Sequence, residues 1–306
     1  MFNISEGEIL NNISQQKNSY GKEPTPYDIL TTSIGLMAVI LNGLLLIAMF
    51  RNTEKIFISN GAYLVANVAM ADVLTGINSS LWGIKTLFLS KPAMIVSMSI
   101  FWITIEASFL TIFIMCLERY IAIVYPFKAN LWLSKRLTLY GCLLTWIISA
   151  VCGISIAFNK NTTQIVLAFF FEITIIVTCF LYLKIYFKLR ERRLDCTPGA
   201  LCDNHSNHDR QREYNLTLVV ALLTIILVVT VLPYMVGGQF SKYYKNNRTL
   251  ALFLRYYFPV ELTNFVLNPF IYAIRLPKYR RAILNTLKPI TIPVQLIFTT
   301  VHNPRY

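Results

Sequence analysis

Seven apolar runs constrain this chain more than any other feature of its 306 residues. A helix needs about 20 apolar residues to cross the hydrocarbon of a bilayer. Runs of that length occupy roughly residues 29–50, 61–88, 93–125, 137–158, 164–190, 213–238 and 251–274. Three are interrupted: the second by Asp72 and Asn78, the fifth by Glu172, the seventh by Glu261, Asn264 and Asn268. Polar groups in lipid are costly and turn toward a bundle interior. Only 14% of the residues are charged, against about 25% in a soluble domain, so most of the surface is expected to face lipid. The expected fold is an all-α membrane protein. A seven-transmembrane helix bundle covers 29–274, an extracellular tail 1–28, and a short amphipathic helix with a cytoplasmic tail 275–306.

Seven crossings leave the two termini on opposite sides. With the N-terminus outside, the inner segments hold 19 of the 28 Lys+Arg, among them Arg51, Lys55, Lys135, Arg136 and the run "KIYFKLRERR". That inward excess follows the positive-inside rule, and it accounts for a net charge of +13 without nucleic acid as a partner. Four N-x-S/T sequons, at Asn3, Asn12, Asn161 and Asn247, fall outside and are expected to carry glycans. Asn78 and Asn215 match the same pattern inside a helix and on the inner face. The N-terminus is polar and lacks an apolar signal region, so the first span is expected to direct insertion. Residues 191–212 read as the longest inner loop, a flexible one. Its Cys196, Cys202, His205 and His208 are zinc-ligand types, at a spacing uncommon for zinc.

Short motifs recur one set per span: "LNG" at Asn42, "ANVAMAD" ending at Asp72, "ERY" at 118–120, Trp146, Tyr182, "LPY" at Pro233 and "NPFIY" at 268–272. In this order the chain resembles the rhodopsin-like (class A) G protein-coupled receptors from about residue 29 to 287. The resemblance implies a receptor in the plasma membrane that activates heterotrimeric G proteins through outward movement of helix six. Arrestin and receptor kinases follow as further partners. It also implies a switch made of Glu118, Arg119, Tyr120, Tyr182, Glu213, Asn268, Pro269 and Tyr272. A guanidinium keeps its charge through any exchange of partners, which suits Arg119 to that role; a plain anchor to the headgroups is the alternative. Glu118 precedes Arg119 by one residue and is expected on another helical face, so a partner from a different helix is needed. Glu213 is the expected latch.

The resemblance places Asp72, Ser108, Asn264 and Asn268 around an allosteric sodium ion, with Asn42 beside them. Oxygen ligands with one carboxylate suit a hard cation; a hydrogen-bonded network without an ion is the alternative. No other cofactor or metal is expected. Pro269 permits a kink, and Tyr272 and Tyr182 would meet through water in an active state.

Several positions depart from the family pattern. Met94 and the outer loop "NKNTTQ" offer no cysteine pair, so no outer disulfide is expected. Thr174 replaces the proline of helix five, and Val231 the tryptophan above Pro233, so Phe109, Leu227 and Val231 are expected to repack that route. The pattern is similar to the melanocortin, cannabinoid and lysophospholipid subgroup. Trp82, Met94 and Met98 stand where melanocortin receptors carry acids, Phe101 where amine receptors carry aspartate, and Leu262 where opsins carry lysine. The ligand therefore stays open. Candidate pocket residues are Trp82, Phe101, Glu106, Tyr234 and Glu261, with Trp102, Phe171 and Tyr257 as further walls and Glu172 as a third acid. A cationic ligand could pair with the acids, whereas the basic outer rim of Lys242, Lys245, Arg248 and Arg255 suits an anion. No internal repeat of the kind transporters use is present. No nucleophile–base pair or phosphate loop suggests an enzyme.

Overall fold

The computed structural model describes residues 25–57, 59–82, 91–194, 204–244 and 247–287, and every regular element among them is helical. In chain order these are α1 (Pro26–Arg51), α2 (Thr53–Ile56), α3 (Gly61–Trp82), α4 (Lys91–Val124), α5 (Pro126–Trp132) and α6 (Lys135–Phe158). They continue with α7 (Lys160–Leu194), α8 (Asn204–Thr230), α9 (Leu232–Tyr243), α10 (Arg248–Arg275) and α11 (Pro277–Leu287). The seven spans are α1, α3, α4, α6, α7, the α8–α9 pair and α10.

Six spans are long and apolar enough to cross a membrane by composition alone. The seventh, α10, does so by length: its 28 residues reach about 42 Å. Its polar residues lie on the bundle side, with Glu261, Asn264 and Asn268 buried. Spans begin on side-chain caps. Thr25 and Asp28 form a capping box with Pro26 at the first turn of α1. Ser134 caps α6 and Asn247 caps α10 through the Leu137 and Leu250 amides. Pro233 falls in the first turn of α9, and Val231 separates it from α8, so helix six is broken at its proline.

The third span, α4, runs through the middle and touches α3, α6, α7 and α8, while the other spans close a ring around it. Helices α1 and α3 share the most extensive contact of the bundle. Two glycines permit it: a Cβ on Gly76 would stand 2.7 Å from the Gly35 carbonyl oxygen. Asn67 then ties three spans together. Its amide donates to Thr111 Oγ1 at 2.7 Å, and its carbonyl accepts from Trp146 Nε1 at 2.8 Å. At the outer end, Trp82 Nε1 donates to Ser97 Oγ at 2.6 Å, and Ser97 donates to Asn78 Oδ1 at 2.8 Å. The exposed faces are apolar: Leu143, Ile147, Val151 and Ile154 on α6, and Ile173, Ile176 and Phe180 on α7. Those stripes are where lipid replaces water.

Residues 191–212, expected as one loop, are corrected at both ends. Helix α7 runs on to Leu194 and α8 begins at Asn204, leaving 195–203 outside the described residues. Beyond the membrane, Glu, Arg and Gln are good helix formers and let both spans continue into water. After a turn at Leu276, α11 buries Tyr279 and Ala282 against the bundle and leaves Leu284 and Leu287 exposed, as an amphipathic helix would. Lys278 Nζ donates to Ser59 Oγ at 2.7 Å and fixes it to the first inner turn.

Candidate functional site

At the inner mouth, Arg119 Nη2 lies 3.2 Å from Glu118 Oε1, both side chains largely buried. This corrects the expectation that Glu118 faces elsewhere. Adjacent Cβ atoms diverge by about 100° on a helix, but a three-carbon stem lets the guanidinium curl back to the carboxylate. The other carboxylate oxygen of Glu118 lies beside Gly61, 3.5 Å from where a Cβ would stand. A narrow cleft of about 400 Å³ including its open mouth lies here, walled by Glu118 and Arg119 from α4, by Leu216, Val219 and Val220 from α8, and by Lys278 and Tyr279 from α11. The expected latch Glu213 lies in α8, with its side chain outside the described residues. Tyr120 packs edge-on against Tyr125, ring centroids 6.0 Å apart. Tyr182 donates to the Thr217 carbonyl, joining α7 to α8. Tyr272 is fully buried against Tyr279, and its hydroxyl has no hydrogen-bond partner among the described residues. The two tyrosines are not brought together in this conformation.

Midway through the bundle, Asp72 accepts from Ser108 Oγ at Oδ1 and from Asn268 Nδ2 at Oδ2, both at 2.7 Å. Asp72, Ser108, Asn264 and Asn268 are all buried. The Oδ1 atoms of Asn264, Asn268 and Asn42 accept nothing from the described residues. An oxygen set with a single carboxylate and uncommitted amide oxygens fits a sodium ion. Among the described residues no cluster of three His, Cys, Asp or Glu offers a harder-binding alternative.

In the outer half the expected pocket residues divide. Trp82, Phe101 and Tyr234 gather around Phe258, with Trp82 and Phe101 centroids 4.5 Å apart and Tyr234 and Phe258 5.7 Å apart. They fill space between spans as core. Glu106 and Glu261 are buried, and Glu106 Oε2 and both Glu261 oxygens have no hydrogen-bond partner among the described residues. The open cavity lies elsewhere, toward α4, α7 and α9. It encloses about 920 Å³ including its mouth, and Trp102, Ile165, Met235 and Leu254 form its apolar walls. Gln164, Gln239, Ser241 and Lys242 are its polar groups, and Tyr234 and Trp102 are the residues it shares with the expected set. Lys242 Nζ donates to Gln164 Oε1 at 2.8 Å, and Gln239 donates to Glu172 at 2.9 Å. Below it, Phe109 packs at a tilt on Phe171 with centroids 4.3 Å apart, and Leu227, Val231 and Met235 belong to the same core cluster, where the family pattern has its tryptophan.

Comparison with known proteins agrees with this arrangement. Residues 41–166 match the profile of the 7 transmembrane receptor (rhodopsin family), and residues 157–288 that of the serpentine type 7TM GPCR chemoreceptor Srv. Between them the two profiles span residues 41–288, each alone less than half of the chain, which supports a receptor similar to the rhodopsin-like G protein-coupled receptors. This receptor is 26% identical to human melanin-concentrating hormone receptor 2 over 203 residues, 55% of the chain and 58% of the relative. It is 21% identical to human melanocortin receptor 5 over 270 residues, 81% of the chain and 80% of the relative. With bovine histamine H1 receptor it shares 27% over 130 residues, 41% of the chain and 26% of the relative. The receptor thus spans a little over half the length of the first of these relatives.

Two contacts were invisible in the receptor's sequence. Pro269 cannot donate to the carbonyl four residues back; that carbonyl, Phe265, accepts from Asn42 Nδ2 of α1 at 2.8 Å. Pro233 likewise frees Val229, whose carbonyl accepts from Tyr257 of α10 at 2.7 Å. Pairing at the bundle interior needs knowledge of which helices are neighbours, and no local pattern carries that. Of the sequon asparagines, Asn3 and Asn12 lie outside the described residues, as does the side chain of Asn161. Asn247 is exposed and uses its oxygen to cap α10. Cys116, Cys142, Cys152 and Cys179 are free thiols within spans, whereas Cys196 and Cys202 and the side chains of His205 and His208 lie outside the described residues.

Proposed function

We propose that this receptor sits in the plasma membrane with its N-terminus outside, binds an extracellular ligand, and activates heterotrimeric G proteins when helix six swings outward. The observation that carries the reading is the Arg119–Glu118 pair, held at 3.2 Å beside α8 at a narrow inner mouth. Leu216, Val219 and Val220 wall that mouth from the part of helix six below its proline break. Outward motion of α8 would widen it and open the guanidinium to an entering partner helix. Arrestin and receptor kinases would use the same inner face. The inward excess of Lys+Arg supports the orientation.

Asp72, Ser108, Asn264 and Asn268 would hold a sodium ion, which supplies a positive charge beside the buried carboxylate and so favours the closed bundle. For the ligand, the relatives' names point to melanin-concentrating hormone, melanocortin and histamine and do not converge. The outer cavity is more selective. Its walls are apolar and its lining cation is Lys242, so the ligand has an apolar body and an anionic or strongly accepting end.

The deciding experiment is guanine-nucleotide loading of purified G proteins by the receptor in vesicles, with and without a screen of carboxylate- and phosphate-bearing amphiphiles. Loading above receptor-free vesicles, raised by a screen hit whose potency falls about tenfold in Lys242→Gln, is the expected result. No loading with any G protein class sinks the reading.

A further inference from the structure

Helix α8 presents two stripes at its inner end. Leu216, Val219 and Val220 face the arginine cleft. Tyr214, Thr217, Leu218 and Ala221 line a different space, spaced i, i+3, i+4, i+7 along another face. On α7 a matching stripe of Tyr182, Ile185, Tyr186 and Leu189 confronts it. The two helices meet sparsely, and the stripes enclose about 840 Å³ including the open side. Because the bundle side of α8 is committed to the arginine cleft, this groove opens toward the bilayer, flanked by the exposed Leu183 and Phe187.

The groove's inner end carries Arg190, which pairs with no carboxylate among the described residues, although Lys188 two residues earlier holds Glu191 at 2.8 Å. Arg190 stands eight residues beyond Tyr182, about 12 Å along the axis. A leaflet's hydrocarbon is about 15 Å deep. The groove therefore has the depth of most of one acyl chain, with a guanidinium at headgroup level.

We propose that this groove is a binding site for an anionic glycerophospholipid of the inner leaflet. Arg190 pairs with the headgroup's net negative charge, which phosphatidylcholine lacks, its planar fork taking the phosphate with two donors, and one acyl chain lies between the α7 and α8 stripes. The inner leaflet is rich in such lipids. The site stands apart from the ligand cavity and needs no G protein for its test.

Purified receptor is equilibrated with micelles holding equal amounts of phosphatidylserine and phosphatidylcholine of identical chains, and retained lipids are weighed by native mass spectrometry. One guanidinium at headgroup depth gives about a fivefold preference for phosphatidylserine. Arg190→Gln, an exposed change that leaves packing alone, brings the ratio to about one. Ala221→Trp fills the groove and lowers retention of both lipids, while Lys184→Gln on the same helix leaves the preference intact. Equal retention by the unmodified receptor overturns the proposal. So does a preference that survives Arg190→Gln, or undiminished retention in a folded Ala221→Trp protein.

Discussion

Helices six and seven of this receptor each carry a proline, Pro233 and Pro269, whose freed carbonyl is taken by a side chain from a neighbouring span; helix seven holds a further proline, Pro259. The settings differ. On helix seven the donor is Asn42, fully buried, which also donates to the Ala38 carbonyl at 3.0 Å and sits beside the polar core. On helix six the donor is the half-buried Tyr257, a rotatable hydroxyl in the outer half of the bundle. A buried polar group left unpaired costs more than a half-exposed one. The first kink is thus a fixed shape, while the second is a joint whose tie can open at modest cost, on the helix proposed to swing.

Substitutions can break this contrast, and the largest effect belongs to the fixed kink. Asn42→Leu orphans the Phe265 carbonyl and should lower stability by about 2–3 kcal/mol, read as a fall in melting temperature; an unchanged melt removes the distinction. Asp72→Asn comes next. The unmodified receptor should gain about 1.4 kcal/mol in sodium chloride over choline chloride, if sodium is present at ten times its dissociation constant. The variant should gain nothing. An unmodified receptor indifferent to sodium ends the idea. Tyr257→Phe should cost about 1 kcal/mol at the joint and raise basal nucleotide loading up to about fivefold, with little change in melting; falling stability and constant basal loading would make both kinks structural. Smallest is Glu118→Gln. An ion pair at a partly wetted mouth is worth about 0.5–1 kcal/mol, so basal loading should rise two- to fivefold, and Glu213→Ala measured beside it shows whether a second acid shares the role.

The spans were legible because lipid imposes length and apolarity on each helix independently. Helix α10 was the weakest of them for the same reason: Glu261, Asn264 and Asn268 serve the interior and dilute its apolar run. The contact of Asp72 with Ser108 and Asn268 followed from motifs whose register fixes neighbours. What stayed hidden depended on side-chain reach and helix adjacency. Arg119 turns back to its own neighbour by stem flexibility. Phe265 and Asn42 are separated by 223 positions. Of the aromatic residues expected around a ligand, Trp82 and Phe101 pack on one another, while Tyr234 and Trp102 reach the open cavity beside Gln164 and Gln239, which carry no signal in a linear reading.

The Trp82–Ser97–Asn78 tie has a practical consequence. The outer ends of the second and third spans are joined through hydroxyl, indole and amide, groups that thiols and disulfide isomerases leave alone. Preparations handled in dithiothreitol should keep this end of the molecule unaltered, and its maturation should not wait on an oxidising folding compartment.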